Sequence, residues 1–206
     1  MTARFISLEG GEGVGKSTQA RRLAEALRGA GREVVLTREP GGSAGAEAIR
    51  MLLLEGAGDR WSARAEALLF AAARADHVLR TIRPALERGA WVICDRFLDS
   101  SRAYQGVAGG LGDAAIGDLH VFGSQGFLPD RTLVLDLPDR EAAARAEARD
   151  AGAPDRIGAR DAGFHRAVVD AFRRFAAEEP ARVRLVDASG AEEAVTARLL
   201  AAIADL

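Results

Sequence analysis

Residues 10–17 of this 206-residue chain read Gly-Gly-Glu-Gly-Val-Gly-Lys-Ser. The segment has the spacing of a phosphate-binding loop, a glycine followed after four residues by Gly15, Lys16 and Ser17. An apolar run at residues 5–8 predicts a strand before it, and a helical pattern begins at Lys16. A glycine-rich loop between strand and helix lets backbone N–H groups converge on phosphate oxygens. We therefore predict that the chain binds a nucleoside triphosphate, with ATP as the phosphoryl donor.

The residues of this loop have distinct predicted contacts with the triphosphate. We expect Lys16 to reach the β- and γ-phosphates and the hydroxyl of Ser17 to ligate Mg²⁺. Glu12 is a carboxylate in a loop that binds anions, so it is repelled unless it has a partner, which favours a functional role for it. The other loop residues predicted to bind ATP are Gly10, Gly11, Gly13, Val14, Gly15 and Thr18.

Short apolar runs alternate with helical patterns along the whole chain. The predicted strands are residues 5–8, 33–37, 91–95, 131–137 and 183–187. Continuous apolar strands bounded by helices are typical of a parallel sheet covered on both faces. The sequence therefore predicts an α/β fold, a P-loop NTPase-type three-layer sandwich with a five-stranded parallel sheet, in a single domain over residues 1–206.

Composition excludes several classes of function. A net charge of −2 argues against general nucleic-acid or membrane binding, and no apolar stretch reaches the roughly 18 residues of a membrane span. The single cysteine, Cys94, lies in an apolar run, which predicts a buried core thiol and a cytoplasmic protein without disulfides. The three histidines do not stand at zinc-ligand spacing with cysteines or carboxylates, so we expect no zinc site.

Polar residues at the ends of two further strands predict a second ligand site. Arg38 ends the second strand, where open α/β sheets bind ligands, and its planar guanidinium suits a phosphate monoester. A surface ion pair with Glu39 is the alternative. At the end of the third strand, Asp95 is placed to support Mg²⁺ and Arg96 to bridge phosphates, with a strand-end salt bridge as the alternative. Pro40 predicts a fixed turn, for which a cis peptide bond is one solution.

Four segments together resemble those of bacterial thymidylate kinases. They are residues 9–18, Thr-Arg-Glu-Pro-Gly-Gly at 37–42, Asp-Arg at 95–96 and Ala-Tyr-Gln-Gly at 103–106, in that family's order and spacing. The resemblance is to the branch with a glutamate in the phosphate loop and catalytic arginines in a lid. It implies transfer of the γ-phosphoryl group of Mg·ATP to dTMP, by a homodimer that pairs through the long helix predicted at residues 62–88.

The resemblance also implies roles for acceptor-binding residues. Phe70 stacks on the base and Arg74, one helical turn later, hydrogen-bonds a base carbonyl; a core aromatic and a solvated arginine are the alternatives. Tyr104 closes over the deoxyribose and disfavours a 2′-hydroxyl, or else is a half-buried packing residue. The full acceptor set implied by the resemblance is Glu12, Arg38, Phe70, Arg74, Arg96, Ser101, Tyr104 and Gln105.

Arginines flank an aperiodic stretch at residues 150–160, which predicts a mobile lid at about 145–160. Phosphoryl transfer needs cations on the equatorial oxygens, and one of them is often an arginine delivered by closure. The phosphate loop contains no arginine. The resemblance therefore implies that Arg149 is catalytic, followed by Arg145 and Arg156, in addition to Lys16, Asp95 and Arg96. A basic solvated loop is the alternative for this stretch.

Two other functions stay open on sequence alone. One is another P-loop nucleoside or nucleotide kinase, of the deoxynucleoside or adenylate kinase type. The other is a P-loop ATPase or GTPase switch that acts through a partner protein. A GTPase switch should carry an Asn-Lys-x-Asp element, which this sequence lacks.

Overall fold

The computed structural model describes residues 2–57, 59–150 and 155–206, without the side chains of residues 139, 146, 147, 149 and 150. The strands within these residues are β1 (Phe5–Glu9), β2 (Val34–Arg38), β3 (Trp91–Asp95), β4 (Arg131–Asp136) and β5 (Val183–Asp187). They form one parallel sheet in the order β2-β3-β1-β4-β5. The predicted α/β fold with a five-stranded parallel sheet is confirmed.

Helices follow each strand and cover both faces of the sheet. They are α1 (Lys16–Gly29), α2 (Ala44–Leu54), α3 (Ala63–His77), α4 (Arg83–Glu87), α5 (Leu98–Ser101), α6 (Asp113–Ser124), α7 (Asp139–Asp150), α8 (Ala162–Glu178) and α9 (Glu192–Ala202). Two π-helical stretches, Val78–Ile82 and Arg102–Ala108, continue α3 and α5. No helix within the described ranges is long and apolar enough to cross a membrane.

The long helix predicted at residues 62–88 is a run of three segments, α3, the π-helical stretch Val78–Ile82 and α4. Pro84 lies at the start of α4. Proline has no N–H to donate and its ring crowds the carbonyl of the preceding turn, so the regular α-helical hydrogen-bond pattern is interrupted in the turn before it. The wider π turn just before it accommodates this break.

The hydrophobic core lies on both faces of the sheet, because successive strand residues point to opposite sides. On one face, Ile93 packs with Leu23 of α1 and Leu199 of α9. On the other, Cys94 packs with Ile82 in a separate buried cluster. Cys94 is the buried core thiol that the sequence predicts.

Parallel pairing brings the carboxyl ends of the neighbouring strands β2, β3 and β1 to one edge. Asp95 at the end of β3 lies opposite Leu8 of β1 and Arg38 of β2. The phosphate loop follows β1 directly, so this loop, Arg38 and Asp95 share this edge. Open α/β sheets bind ligands in the crevice outside such an edge.

Candidate active site

The phosphate loop is shaped by glycines that other residues cannot replace. Gly10 has a φ of 133°, and a Cβ there would lie 2.5 Å from the carbonyl oxygen of Leu135. The Lys16 ammonium folds back over the loop and donates to the carbonyl oxygens of Gly10 and Gly11, at 3.0 and 2.5 Å. Burial, and after it the charge of Arg96, lowers the pKa of Lys16 to about 8. The loop is thus preformed around a buried cation.

Two oxygen-bearing side chains, those of Ser17 in the loop and Asp95 at the end of β3, lie in contact. The Ser17 hydroxyl donates to a carboxylate oxygen of Asp95 at 2.5 Å, and both side chains line the same cleft. A hydroxyl and a carboxylate are the hard oxygen ligands that Mg²⁺ takes in nucleotide sites. These two residues therefore fit the metal that accompanies ATP.

A second cluster joins the phosphate loop to the acceptor side. Arg96 donates to Glu12 at 2.6 Å, and the Tyr104 hydroxyl donates to the same carboxylate oxygen at 3.2 Å. The Arg96 guanidinium lies 5.0 Å above the Tyr104 ring. Burial raises the pKa of Tyr104, so its phenol stays protonated at neutral pH. Glu12 therefore has both a cationic and a hydroxyl partner, which offsets its repulsion for phosphates.

The turn after β2 brings two arginines to the cleft. Arg38 is exposed and pairs with Glu47 at 3.2 Å, rather than with Glu39. The Glu39–Pro40 peptide bond is cis. Arg50, which is not among the site residues predicted from the sequence, lines the same cleft and donates to the Pro40 carbonyl oxygen at 2.7 Å. The sequence hints at this position of Arg50 only through the helix α2, which contains Arg50 and begins directly after the turn.

Phe70 and Arg74 lie on the face of α3 that borders the cleft. Phe70 is half-buried and lines the cleft. Arg74 is buried and donates to Glu39 at 2.8 Å, to the Ser101 hydroxyl at 2.7 Å and to a backbone carbonyl at 3.2 Å. It is therefore not a solvated helix residue. Gln105, in the second π-helical stretch, lines the cleft and donates to Glu66 of α3 at 2.9 Å.

The predicted lid arginines go to different places. Arg145 of α7 lines the cleft, whereas the side chain of Arg149 and all of residues 151–154 lie outside the part that the structure describes. Arg156 is buried outside the cleft and donates to the Leu53 carbonyl oxygen at 2.9 Å and to Glu66 at 2.6 Å. In this structure Arg156 is thus an internal cation, and Arg145 is the predicted lid arginine that faces the cleft.

Glu9 is a second residue that received no role from the sequence. It ends β1 fully buried, accepting from the Phe97 N–H at 2.7 Å and from the Ser100 hydroxyl at 2.6 Å. Ser100 in turn accepts from Arg96 at 3.2 Å. Burial, and after it the charge of Asp99, raises the pKa of Glu9 to about 8. The sequence feature that could have drawn attention to Glu9 is its position as a carboxylate at the end of an apolar strand.

Donor and acceptor residues share one cleft of about 490 Å³. Lys16, Ser17 and Asp95 line one part of it, and Phe70, Arg74 and Tyr104 line another. The cleft thus has a part lined by the phosphate loop and a part lined by α3 and the second π-helical stretch, and Arg96 is among its lining residues.

Comparison with known proteins points to one family. The thymidylate kinase family model matches residues 8–199. A thymidylate kinase of Rhizorhabdus wittichii is 67% identical over 206 residues, covering 100% of this chain and 99% of that protein. One from Nitrobacter winogradskyi is 51% identical over 203 residues, covering 98% and 88%. The crystal structure of thymidylate kinase from Ehrlichia chaffeensis superposes with a TM-score of 0.78 at 31% identity, covering 98% of this chain and 100% of that one.

Proposed function

This chain belongs to the thymidylate kinase family and transfers the γ-phosphoryl group of ATP to dTMP, giving dTDP and ADP; we propose that it does so in the cleft described above. The observation that carries this proposal is the shared lining of that cleft by the phosphate loop and by the aromatic and arginine side chains of α3 and the second π-helical stretch. The cleft therefore offers separate surfaces to a triphosphate and to a nucleoside monophosphate.

On the donor side, we assign the phosphate loop, residues 10–18, to ATP. Lys16 donates to the β- and γ-phosphates, exchanging its loop carbonyl partners for phosphate oxygens. Ser17 and Asp95 would hold Mg²⁺, which neutralises phosphate charge when bound. The phosphate of dTMP is already ionised at neutral pH, so no strong general base is needed, and positioning with charge neutralisation supplies most of the rate.

On the acceptor side, Arg38 binds the phosphate of dTMP and Phe70 stacks on its base. Arg74 already uses three hydrogen bonds to hold Glu39, Ser101 and the chain at Phe97 in place. It therefore presents a fixed guanidinium to the base carbonyl, at little entropic cost.

The Glu12–Tyr104 pair is assigned to the sugar of dTMP. Glu12 accepts from the 3′-hydroxyl, and the Tyr104 ring closes against C2′. Arg96, held between Glu12 and Tyr104, bridges the donor and acceptor phosphates. A single domain thus contains the whole site, with the lid at about 145–160 and with Arg145 and Arg149 supplying cations to the transferring group.

The substrate assignment is tested by turnover with Mg·ATP and a panel of acceptors, dTMP, dUMP, dCMP, dAMP and thymidine. We expect dTMP to be used with the highest kcat/KM. Phosphorylation of thymidine without that of dTMP would refute the assignment. Lys16→Met serves as the control for contaminating kinases, because it should abolish turnover with every acceptor in the panel.

We also infer a homodimer that pairs through α3 and the neighbouring α6. Large apolar side chains stay exposed on these packed helices and on the π turn that continues α3, with Leu68 at 57%, Leu79 at 65% and Phe122 at 92%. Such a patch on a folded chain is typical of an interface, and a second copy of this chain is the occupant that the family implies. The buried free thiol of Cys94 and the use of ATP support a cytoplasmic location.

Sedimentation velocity tests the dimer. We expect twice the chain mass for the natural sequence and the monomer mass for Phe122→Asp, since a buried unpaired carboxylate opposes association. Leu185→Asp is the matched control, because Leu185 is an exposed apolar residue on the edge strand β5. A natural chain that sediments as a monomer would contradict the inference.

A further inference from the structure

A buried carboxylate on α3 collects three donors from distant parts of the chain. One oxygen of Glu66 accepts from Gln105 at 2.9 Å, and the other accepts from Arg156 at 2.6 Å and from Arg160 at 3.0 Å. The side chain of Glu66 is only 4% exposed. A buried charge of this kind is tolerated only when its partners hold it in a defined geometry.

The place of Glu66 on α3 connects it to the acceptor residues. Residues four apart on a helix lie on one face, so Glu66 precedes Phe70 by one turn and Arg74 by two. Its partner Gln105 directly follows Tyr104 in the second π-helical stretch. Glu66 thus joins the two elements that carry the base-binding and sugar-binding side chains.

The arginine partners of Glu66 belong to residues 155–160, which we call the return segment because they lead from the lid into α8. Within this segment Arg156 also donates to the Leu53 carbonyl oxygen at 2.9 Å, at the end of α2. Arg160 lies 4.7 Å above the ring of Phe164, and that ring packs edge-on against Tyr104 at 6.0 Å. The return segment is therefore fastened to α2, α3 and the Tyr104 ring together.

Parts of the return segment also border the cleft. Asp155, Ile157 and Gly158 line it together with Arg145 of α7. A displacement of the return segment relative to α3 would therefore change both the acceptor side of the cleft and the part of its wall that residues 155–158 form after α7.

We propose that Glu66 is a positioning residue that couples acceptor binding to donor binding through the return segment. The inference rests on the proposed function, since it takes dTMP to bind against Phe70 and Tyr104. When dTMP orders these side chains, the three bonds at Glu66 hold the return segment in the arrangement that favours ATP. Coupling of this kind is reciprocal, so ATP favours dTMP by the same factor.

The test measures that factor directly. The dissociation constant of a non-hydrolysable ATP analogue with Mg²⁺ is determined by calorimetry, with and without saturating dTMP. For the natural chain we expect dTMP to tighten binding about tenfold, within the usual range of coupling between sites. In the double variant Glu66→Leu with Arg156→Met, we expect the factor to fall below about twofold.

A matched control removes a similar interaction elsewhere. Arg131 is also buried and donates to a helix-end carbonyl oxygen, that of Ala202 at 2.8 Å, and to Asp205 at 3.0 Å. The double variant Arg131→Met with Asp205→Leu should keep the natural coupling factor. Loss of coupling in this control, retention of coupling in the Glu66 variant, or a factor of one in the natural chain each overturns the inference.

Two further measurements distinguish failure of this inference from misfolding of the variants and from failure of the proposed function. Circular dichroism shows whether the variants fold. If the double variant does not fold, the coupling factor is measured for Glu66→Gln instead, and the same fall below about twofold is expected. Turnover of dTMP by the natural chain tests the proposed function by itself. Normal turnover with unchanged coupling in the Glu66 variant overturns only the role of Glu66, whereas absent turnover overturns the proposed function.

Discussion

Replacement of Glu9 by glutamine tests the electrostatics at the carboxyl end of β1. The amide keeps the shape of the side chain and an oxygen that accepts from the Phe97 N–H, now 2.7 Å from Glu9, and it removes the ionisable proton. Burial, and after it the charge of Asp99, raises the pKa of Glu9 from 4.5 to about 8 in the folded chain. The variant therefore isolates the contribution of one titrating group to the free energy of unfolding.

The sign of the effect follows from proton linkage. A raised folded-state pKa means that the folded chain binds this proton more tightly than the unfolded chain does. The stabilisation is fully present below pH 4.5 and is lost as the pH rises to about 8. Each pH unit within that window changes the free energy by about 1.36 kcal/mol. The natural chain therefore loses about 2.7 kcal/mol relative to the Glu9→Gln variant over roughly two units, from about pH 5.5 to about pH 7.5.

Urea unfolding of both proteins at these two pH values measures the difference. We expect the stability advantage of Glu9→Gln to grow by about 2–3 kcal/mol at the higher pH. Ser7→Ala is the control, because Ser7 lies two residues earlier on β1, is buried and bonds Thr132, but does not titrate. If natural and Glu9→Gln chains lose stability in parallel, Glu9 titrates at its ordinary pKa and the electrostatic reasoning fails.

Three further variants test the site. Tyr104→Phe removes a hydrogen bond to Glu12 worth about 1.5 kcal/mol, so kcat/KM for dTMP should fall about tenfold in steady-state assays; an unchanged kcat/KM contradicts the sugar assignment. Arg38→Gln should raise the KM for dTMP, because it removes the cation assigned to the phosphate of dTMP. The melting temperature should change little, since an exposed ion pair contributes about 0–1 kcal/mol; an unchanged KM contradicts the assignment of Arg38. Arg149→Ala should lower turnover far more than dTMP affinity, measured by single-turnover kinetics and calorimetry, and unchanged turnover refutes its lid role.

Much of the fold follows from local patterns that the chain shows openly. A strand, a glycine loop and a helix around Lys16 specify one βα unit, and each later apolar run adds a parallel strand. The π-helical form of the two stretches was not predictable from their hydrophobic pattern, which is an ordinary helical one. In the first of them the cause is the steric demand of Pro84 on the preceding turn, which a hydrophobic period does not report.

Residues of the site were predictable where the backbone alone brings them together. Arg38 and Asp95 end neighbouring parallel strands, so their register places them side by side. Arg50 and Glu9 were missed because their roles depend on side-chain partners, the Pro40 carbonyl and the Ser100 hydroxyl. Neither partner can be chosen from a linear sequence, since many carbonyl and hydroxyl groups compete for it.

The arginines around the lid show the same limit most sharply. Arg145 and Arg156 have the same charge and lie near each other in sequence, yet one lines the cleft and the other is buried at Glu66. Arg156 enters the interior because the carboxylate of Glu66 is buried there to receive it. The decisive residue thus lies 90 positions earlier. Its signal is an acid on the inward face of α3, one turn before Phe70, and an inward acid requires a cationic partner from elsewhere in the chain.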